Sequence, residues 1–261
     1  MAADTASVAI ERIRPPDLAA ISATQAELLG YVRVTPVLER DDVRMIEGTR
    51  LQFKFELLQV SGTFKARGAF ANLLALDPRA RQAGVTAISA GNHAIAVAYA
   101  AMRLGIGAKV VMIKTASPAR VALARRYGAE VLLAEDGASG FQMIHAIARD
   151  EGRFFVHPFN SERTVLGTGT LGLEWAEQAR AGGMGDLDAV ILPVGGGGLA
   201  AGVATAFKLA MPNVAIYGVE PEGADAMARS FAAGGPIKMG PQHSIADSLM
   251  APHTEAYSFE L

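Results

Sequence analysis

No cysteine occurs in the 261 residues, which excludes a disulfide framework and thiolate chemistry of any kind. Charge of one sign is also lacking: 24 Lys and Arg against 26 Asp and Glu leave a net −2. Nothing in that balance marks a surface for nucleic acid or for an anionic membrane. The N-terminal stretch has no apolar core, carrying Asp4, Glu11, Arg12 and Arg14 instead, so no secretory signal is read and a cytoplasmic enzyme is expected. One long run, 189–207, is free of charge and nearly long enough to span a bilayer. Pro193 and four consecutive glycines interrupt it, and strand, loop and small-residue helix describe it better than a membrane helix.

What is present is apolar and glycine-rich. Hydrophobic residues make up 51% of the chain and glycine occurs 28 times, a composition suited to a buried parallel sheet with many tight turns. The length admits one large or two modest domains of about 150 residues each. Short apolar runs predict strands over 85–89, 109–113, 130–134, 154–157, 189–194 and 214–219. Helices are predicted between them over 93–104, 118–127, 141–149, 169–181, 199–210 and 224–232, with another over 17–29 ended by Gly30. Strand and helix in turn predict an α/β fold with a parallel sheet wrapped on both faces. Residues 77–82 read as the best hinge before a smaller domain, with the return near Pro158, Phe159 and Asn160.

Leu51, Phe53, Phe55 and Leu57 alternate with polar residues, predicting a strand. Ser61-Gly62-Thr63 breaks it, and a helix is predicted from Phe64. Lys65 then sits in a first helical turn, where unpaired N–H groups and the positive dipole end disfavour a cation. A solvated structural lysine and a chemical one both fit that position. A nucleophilic lysine must be neutral, and burial lowers its pKa in that direction.

Two further motifs lie at strand-to-helix junctions, where ligands sit in open parallel sheets. Ser89-Ala90-Gly91-Asn92-His93 offers helix-start N–H groups to an anion, or is an ordinary capped turn. Gly195-Gly196-Gly197-Gly198 lets successive N–H groups converge on a phosphate. Gly195, Gly197 and Ala200 also fit G-x-G-x-x-A, with Glu220 near a ribose-binding position. That dinucleotide reading leaves Lys65 and Asn92 unexplained.

The segment from Phe55 through Ser61-Gly62-Thr63-Phe64-Lys65-Ala66-Arg67-Gly68 to Ala69 resembles the cofactor-lysine segment of the fold-type II pyridoxal-phosphate enzymes, the serine/threonine dehydratase and serine racemase family. The resemblance implies a two-domain, tryptophan synthase β-like fold of parallel sheets flanked by helices. Residues 1–83 and 159–261 would form the large cofactor-binding domain and 84–158 a small mobile one. The cofactor would be pyridoxal 5'-phosphate, held as a Schiff base on Lys65 with Phe64 packed against its ring. Asn92 would contact the ring oxygen, Gly195, Gly196, Gly197 and Gly198 would bind the phosphate, and Ser89, Ala90, Gly91, Asn92 and His93 would hold the substrate carboxylate. Lys65 and Ser89 are the catalytic candidates, with His93 assigned to the loop's backbone and packing rather than to proton transfer. Gly167-Thr168-Gly169-Thr170 resembles a family Gly-Gln-Gly-Thr, read as a helix start or as packing around the cofactor.

Family racemases place a serine where this chain has Ala90, and alanine cannot transfer a proton. Phe159 resembles the dehydratase version of its segment. The resemblance therefore implies β-elimination from a small hydroxy amino acid such as L-threonine or L-serine, the phosphate acting as proton source for the departing hydroxyl, with a 2-oxo acid and ammonia as products. Ser248, at a position usually glycine, is the residue that would restore racemase activity. Glu220 resembles a cation ligand of some members, but Ala226 stands at the position of its partner, and no metal is expected. Family members continue for several tens of residues beyond the position of Leu261, so a catalytically silent fragment is the third alternative. A homodimer is implied, without a regulatory domain.

Overall fold

The structure is a computed structural model that describes residues 13–40 and 48–261. Asp4, Glu11 and Arg12 lie outside the described residues. The chain begins with α1 (Leu18–Glu27), capped by the Asp17 carboxylate on the Ala20 N–H. A short antiparallel pair follows, β1 (Val37–Arg40) and β2 (Leu51–Lys54). The strand predicted to continue through Leu57 stops at Lys54, because its partner runs out. In the next register position Pro36 accepts from the Phe55 N–H at 3.1 Å, but proline has no N–H to return. Two 3-10 turns, Glu56–Leu58 and Val60–Gly62, then lead into α2 (Lys65–Leu74).

The segment read as a hinge, 77–82, forms the helix α3 (Pro78–Ala83), with Pro at its start and Asp77 capping the Ala80 N–H. Next come β3 (Val85–Ile88), α4 (Asn92–Leu104), β4 (Ala108–Ile113), α5 (Pro118–Arg126), β5 (Glu130–Ala134), α6 (Gly137–Glu151) and β6 (Phe154–Phe155). These four strands form one parallel sheet in the order β5-β4-β3-β6. Then α7 (Glu162–Ala181), β7 (Ala189–Pro193), α8 (Gly198–Ala210) and β8 (Ala215–Val219) follow, with β7 and β8 paired in parallel as a separate sheet. The chain closes with α9 (Ala226–Ala233) and α10 (Ala256–Glu260). This is the expected α/β arrangement, with the parallel strands divided between two sheets.

Helix α7 starts seven residues before its predicted beginning, with the Ser161 hydroxyl capping the Thr164 N–H. Gly167-Thr168-Gly169-Thr170 is thus interior helix and not a helix start. Its glycines are packing sites: a Cβ on Gly167 would lie 2.6 Å from the Arg67 carbonyl oxygen, and one on Gly172 would lie 2.9 Å from the Ala206 Cβ. Backbone-to-backbone contact there draws α2, α7 and α8 into one bundle. The largest core joins α2 and α4 to β3 and β4 through Phe70, Leu73, Val97, Val110 and Met112. A second core packs α7 on β7 and α8 through Trp175, Leu192 and Phe207. The site lies where these two bodies meet.

Candidate active site

Three helix N-termini without a side-chain cap open onto one cavity of about 310 Å³ between the two sheets. They belong to α2, α4 and α8. By contrast α1, α3, α6 and α7 are capped by Asp17, Asp77, Asp136 and Ser161. A helix end left without a cap exposes unpaired N–H groups and positive potential. Two of these ends, α4 and α8, are available to anions from outside the chain, while α2 contributes Lys65.

Lys65 is enclosed, and its Nζ donates to the Pro158 carbonyl oxygen at 2.7 Å. Burial lowers its pKa from 10.5 to about 8, since no carboxylate pairs with it. Its Nζ lies 5.3 Å from the centre of the Phe64 ring. The amine is therefore held beside an aromatic plane and releases its proton at near-neutral pH.

At the α4 end, the Ser89 hydroxyl accepts from the Gly91 N–H at 3.1 Å and so shapes the turn. Asn92 Nδ2 faces the Ser248 hydroxyl at 3.4 Å. His93 is buried, its Nε2 2.8 Å from the Val156 carbonyl oxygen. Burial first, then the charge of Lys65, lowers its pKa to about 3, so the imidazole is neutral and spent on holding α4 to the residue that follows β6. Ala90 and Gly91 complete the turn and line the cavity.

The four glycines precede and open α8, and Gly197 has φ +92, a left-handed conformation that suits glycine. Packing also demands them. A Cβ on Gly196 would lie 2.4 Å from the Phe159 ring, and one on Gly198 would lie 2.8 Å from the Phe159 carbonyl oxygen. Phe159 thus braces the loop, whose four glycines line the cavity. The Thr168 hydroxyl donates to the Gly198 carbonyl at 2.8 Å, tying the loop to α7. Glu220 is not in the cavity lining; its carboxylate accepts the N–H groups of Met227 and Ala228 at 2.8 Å each and caps α9. Among the described residues no group of three or more His, Asp or Glu is arranged to hold a metal.

Four site residues had no sequence signal. Pro158 acts through its carbonyl, which no side-chain pattern reports. Arg120 on α5 meets Asp247 at 2.6 Å across 127 residues of sequence, and no local spacing connects them. Phe141 on α6 lines the cavity, yet a single aromatic in an amphipathic helix reads as core.

An enclosed amine, an aromatic plane and a glycine-lined helix end suited to a phosphate monoester together define a site for a phosphorylated aldehyde. The residues present fit pyridoxal phosphate: Lys65 for the aldehyde, Phe64 for the ring and Gly195–Gly198 for the phosphate. Residues 28–261 match the family described as pyridoxal-phosphate dependent enzyme, and the chain belongs to it.

Its similarity to particular members is high. The chain is 68% identical over 246 residues to phenylserine dehydratase from Ralstonia pickettii, covering 94% of this chain and 74% of that protein. It is 39% identical over 236 residues to serine racemase from Oryza sativa, covering 90% and 68%. The structure of maize serine racemase superposes with a TM-score of 0.88 at 36% identity, over 94% of this chain and 73% of that one.

Proposed function

We propose that the chain eliminates the β-hydroxyl of a hydroxy amino acid, yielding a 2-oxo acid and ammonia, with L-threonine, L-serine or a β-aryl analogue as substrate. One observation supports this reading: among the described residues lining the cavity Lys65 carries the one amine, with its pKa lowered to about 8, and Ala90, at the position where the resemblance puts a racemase's serine, brings no hydroxyl. The similarity to a phenylserine dehydratase supports it and widens the substrate range beyond threonine and serine.

The geometry supports the following roles. When bound, the cofactor supplies an electron sink for the pair left at Cα. The uncapped N-terminus of α8 binds its phosphate and that of α4 binds the substrate carboxylate, with the Ser89 hydroxyl keeping the α4 turn in shape. Lys65 Nζ takes the Cα proton, and Pro158 fixes where that nitrogen points. Asn92 and Phe64 would hold the ring, and His93 stays neutral, bonded to the Val156 carbonyl. Departure of the β-hydroxyl as water leaves an enamine, which takes up one water and releases ammonia. The net change is one amino acid to one 2-oxo acid and one ammonia.

Residues 84–158 are assigned to a small domain that closes over the substrate, and the working enzyme to a homodimer, as in the resemblance. Assay of the pyridoxal-phosphate-loaded protein for 2-oxo acid from L-serine, L-threonine and L-threo-3-phenylserine tests the reaction. Product from one or more of them is expected, and product from none contradicts the reading. A racemase activity is favoured by one contact only, the Ser248 hydroxyl in the cavity 3.4 Å from Asn92 Nδ2. Chiral analysis of serine incubated with wild type and Ser248→Ala decides it: D-serine from the first and not the second is what that reading requires.

A further inference from the structure

The amine, the two helix ends and Asn92 account for an aldehyde, a phosphate, a carboxylate and a ring edge. They leave one wall of the cavity without an assignment. It is built by Ile88 at the end of β3, Ile113 at the end of β4, and Gly137 and Phe141 in the first turns of α6. Phe141 is half-buried, packed on its inner side against the small cluster around Ile88, Val111 and Ile144. Gly140 permits that packing, since a Cβ there would lie 2.6 Å from Ile88 Cδ1. Gly137 is exposed at the rim of this wall, and a Cβ on it would meet nothing within 4 Å.

Among the described residues, Ile88, Ile113, Gly137 and Phe141 bring no polar side chain to this wall. The charged lining pair Arg120 and Asp247 are bonded to each other at 2.6 Å. A charged or hydroxylated substituent turned toward this wall would lose water without replacement, whereas an aromatic ring gains two aliphatic side chains and an edge or face of Phe141. Resting on the elimination reading above, we infer that Phe141 is the specificity-determining residue for the substrate's β-substituent, and that it selects an aryl ring lodged against Ile88, Ile113 and the space over Gly137.

The test compares kcat/KM of the holoenzyme for L-threo-3-phenylserine and L-serine in wild type, Phe141→Ala, Phe141→Leu and Gly137→Leu. Calorimetric titration of the same proteins with 3-phenylpropanoate and with propanoate gives a readout independent of turnover. Wild type is expected to prefer phenylserine. In Phe141→Ala the phenylserine-to-serine ratio should fall at least tenfold, chiefly through KM, in the range set by one lost apolar contact. Phe141→Leu should recover part of it, and Gly137→Leu should lower it by filling the space. The ratio of affinities for the two acids should follow the same order. Ratios within twofold of wild type in both Phe141→Ala and Gly137→Leu overturn the assignment, as does an equal loss for both substrates and both acids. Absence of turnover on any hydroxy amino acid overturns the elimination reading alone, because the two titrations still decide where the ring binds.

Discussion

Lys65 is a side chain the fold would be more stable without. Enclosed and without a carboxylate partner, it keeps its proton only to about pH 8, against 10.5 for an exposed lysine. A depressed lysine pKa means that the unfolded chain binds the proton more tightly. The penalty is therefore fully present below about pH 8 and fades as pH rises toward 10.5. Its size is on the order of 3 kcal/mol. Lys65→Met should abolish turnover yet raise the urea unfolding free energy of the cofactor-free protein at pH 7 by a few kcal/mol. That gain should shrink between pH 8 and 10.5; a gain independent of pH would mean that packing and not charge is responsible. The placement of Lys65 at a helix start was readable from Ser61-Gly62-Thr63-Phe64 alone. Its enclosure was not, because the carbonyl that holds it comes from Pro158, 93 residues away.

Helix α2 is held in place by a buried charge network that local patterns did not reveal. Arg67 donates from Nε and Nη2 to Glu56 at 2.9 and 2.8 Å, and from Nη1 to Glu174 on α7 at 3.0 Å. Lys54 at the end of β2 also bonds Glu174. Burial alone would raise the Glu174 carboxyl, but Arg67 and then Lys54 overcome it and hold it below the usual range. Glu174→Gln leaves excess buried positive charge and should cost about 3–5 kcal/mol at neutral pH. A lowered carboxylate pKa stabilises above the unfolded value of 4.5 and is lost as pH falls through the folded one. The gap between wild type and variant should therefore close in acid, as chemical melts at pH 7 and pH 3.5 would show. The glycine run suggested an anion cradle in the sequence, whereas its packing constraint was not legible there. Phe159 fills the space where side chains would be, so Gly196→Ala should lower stability by about 1–3 kcal/mol through overpacking. Thermal melts of the cofactor-free protein check this without reference to binding.

The order of strands and helices was almost fully legible, because a parallel α/β chain writes each strand as a short apolar run and each helix as an amphipathic one. The errors fell where tertiary contact overrides local pattern: β2 ends for want of a partner N–H at Pro36, and α7 keeps Gly167, Gly169 and Gly172 because α2, α1 and α8 press against them. Another long-range contact, Arg120 of α5 with Asp247, joins two segments of the cavity lining. Both side chains are partly exposed, so Arg120→Ala should change stability by less than about 1 kcal/mol. Amide exchange should nevertheless accelerate at 247–252, the segment it tethers over the cavity, and stay unchanged in α2 and α7; uniform acceleration would show a general loosening instead. Beneath all of these stands the claim that one molecule is shared by the Lys65 amine and the glycine amides. Borohydride reduction of the pyridoxal-phosphate-treated protein, followed by peptide mapping, should find the pyridoxyl group on Lys65, at lower occupancy in Gly196→Val. Its attachment to another lysine, or full occupancy in that variant, would contradict the claim.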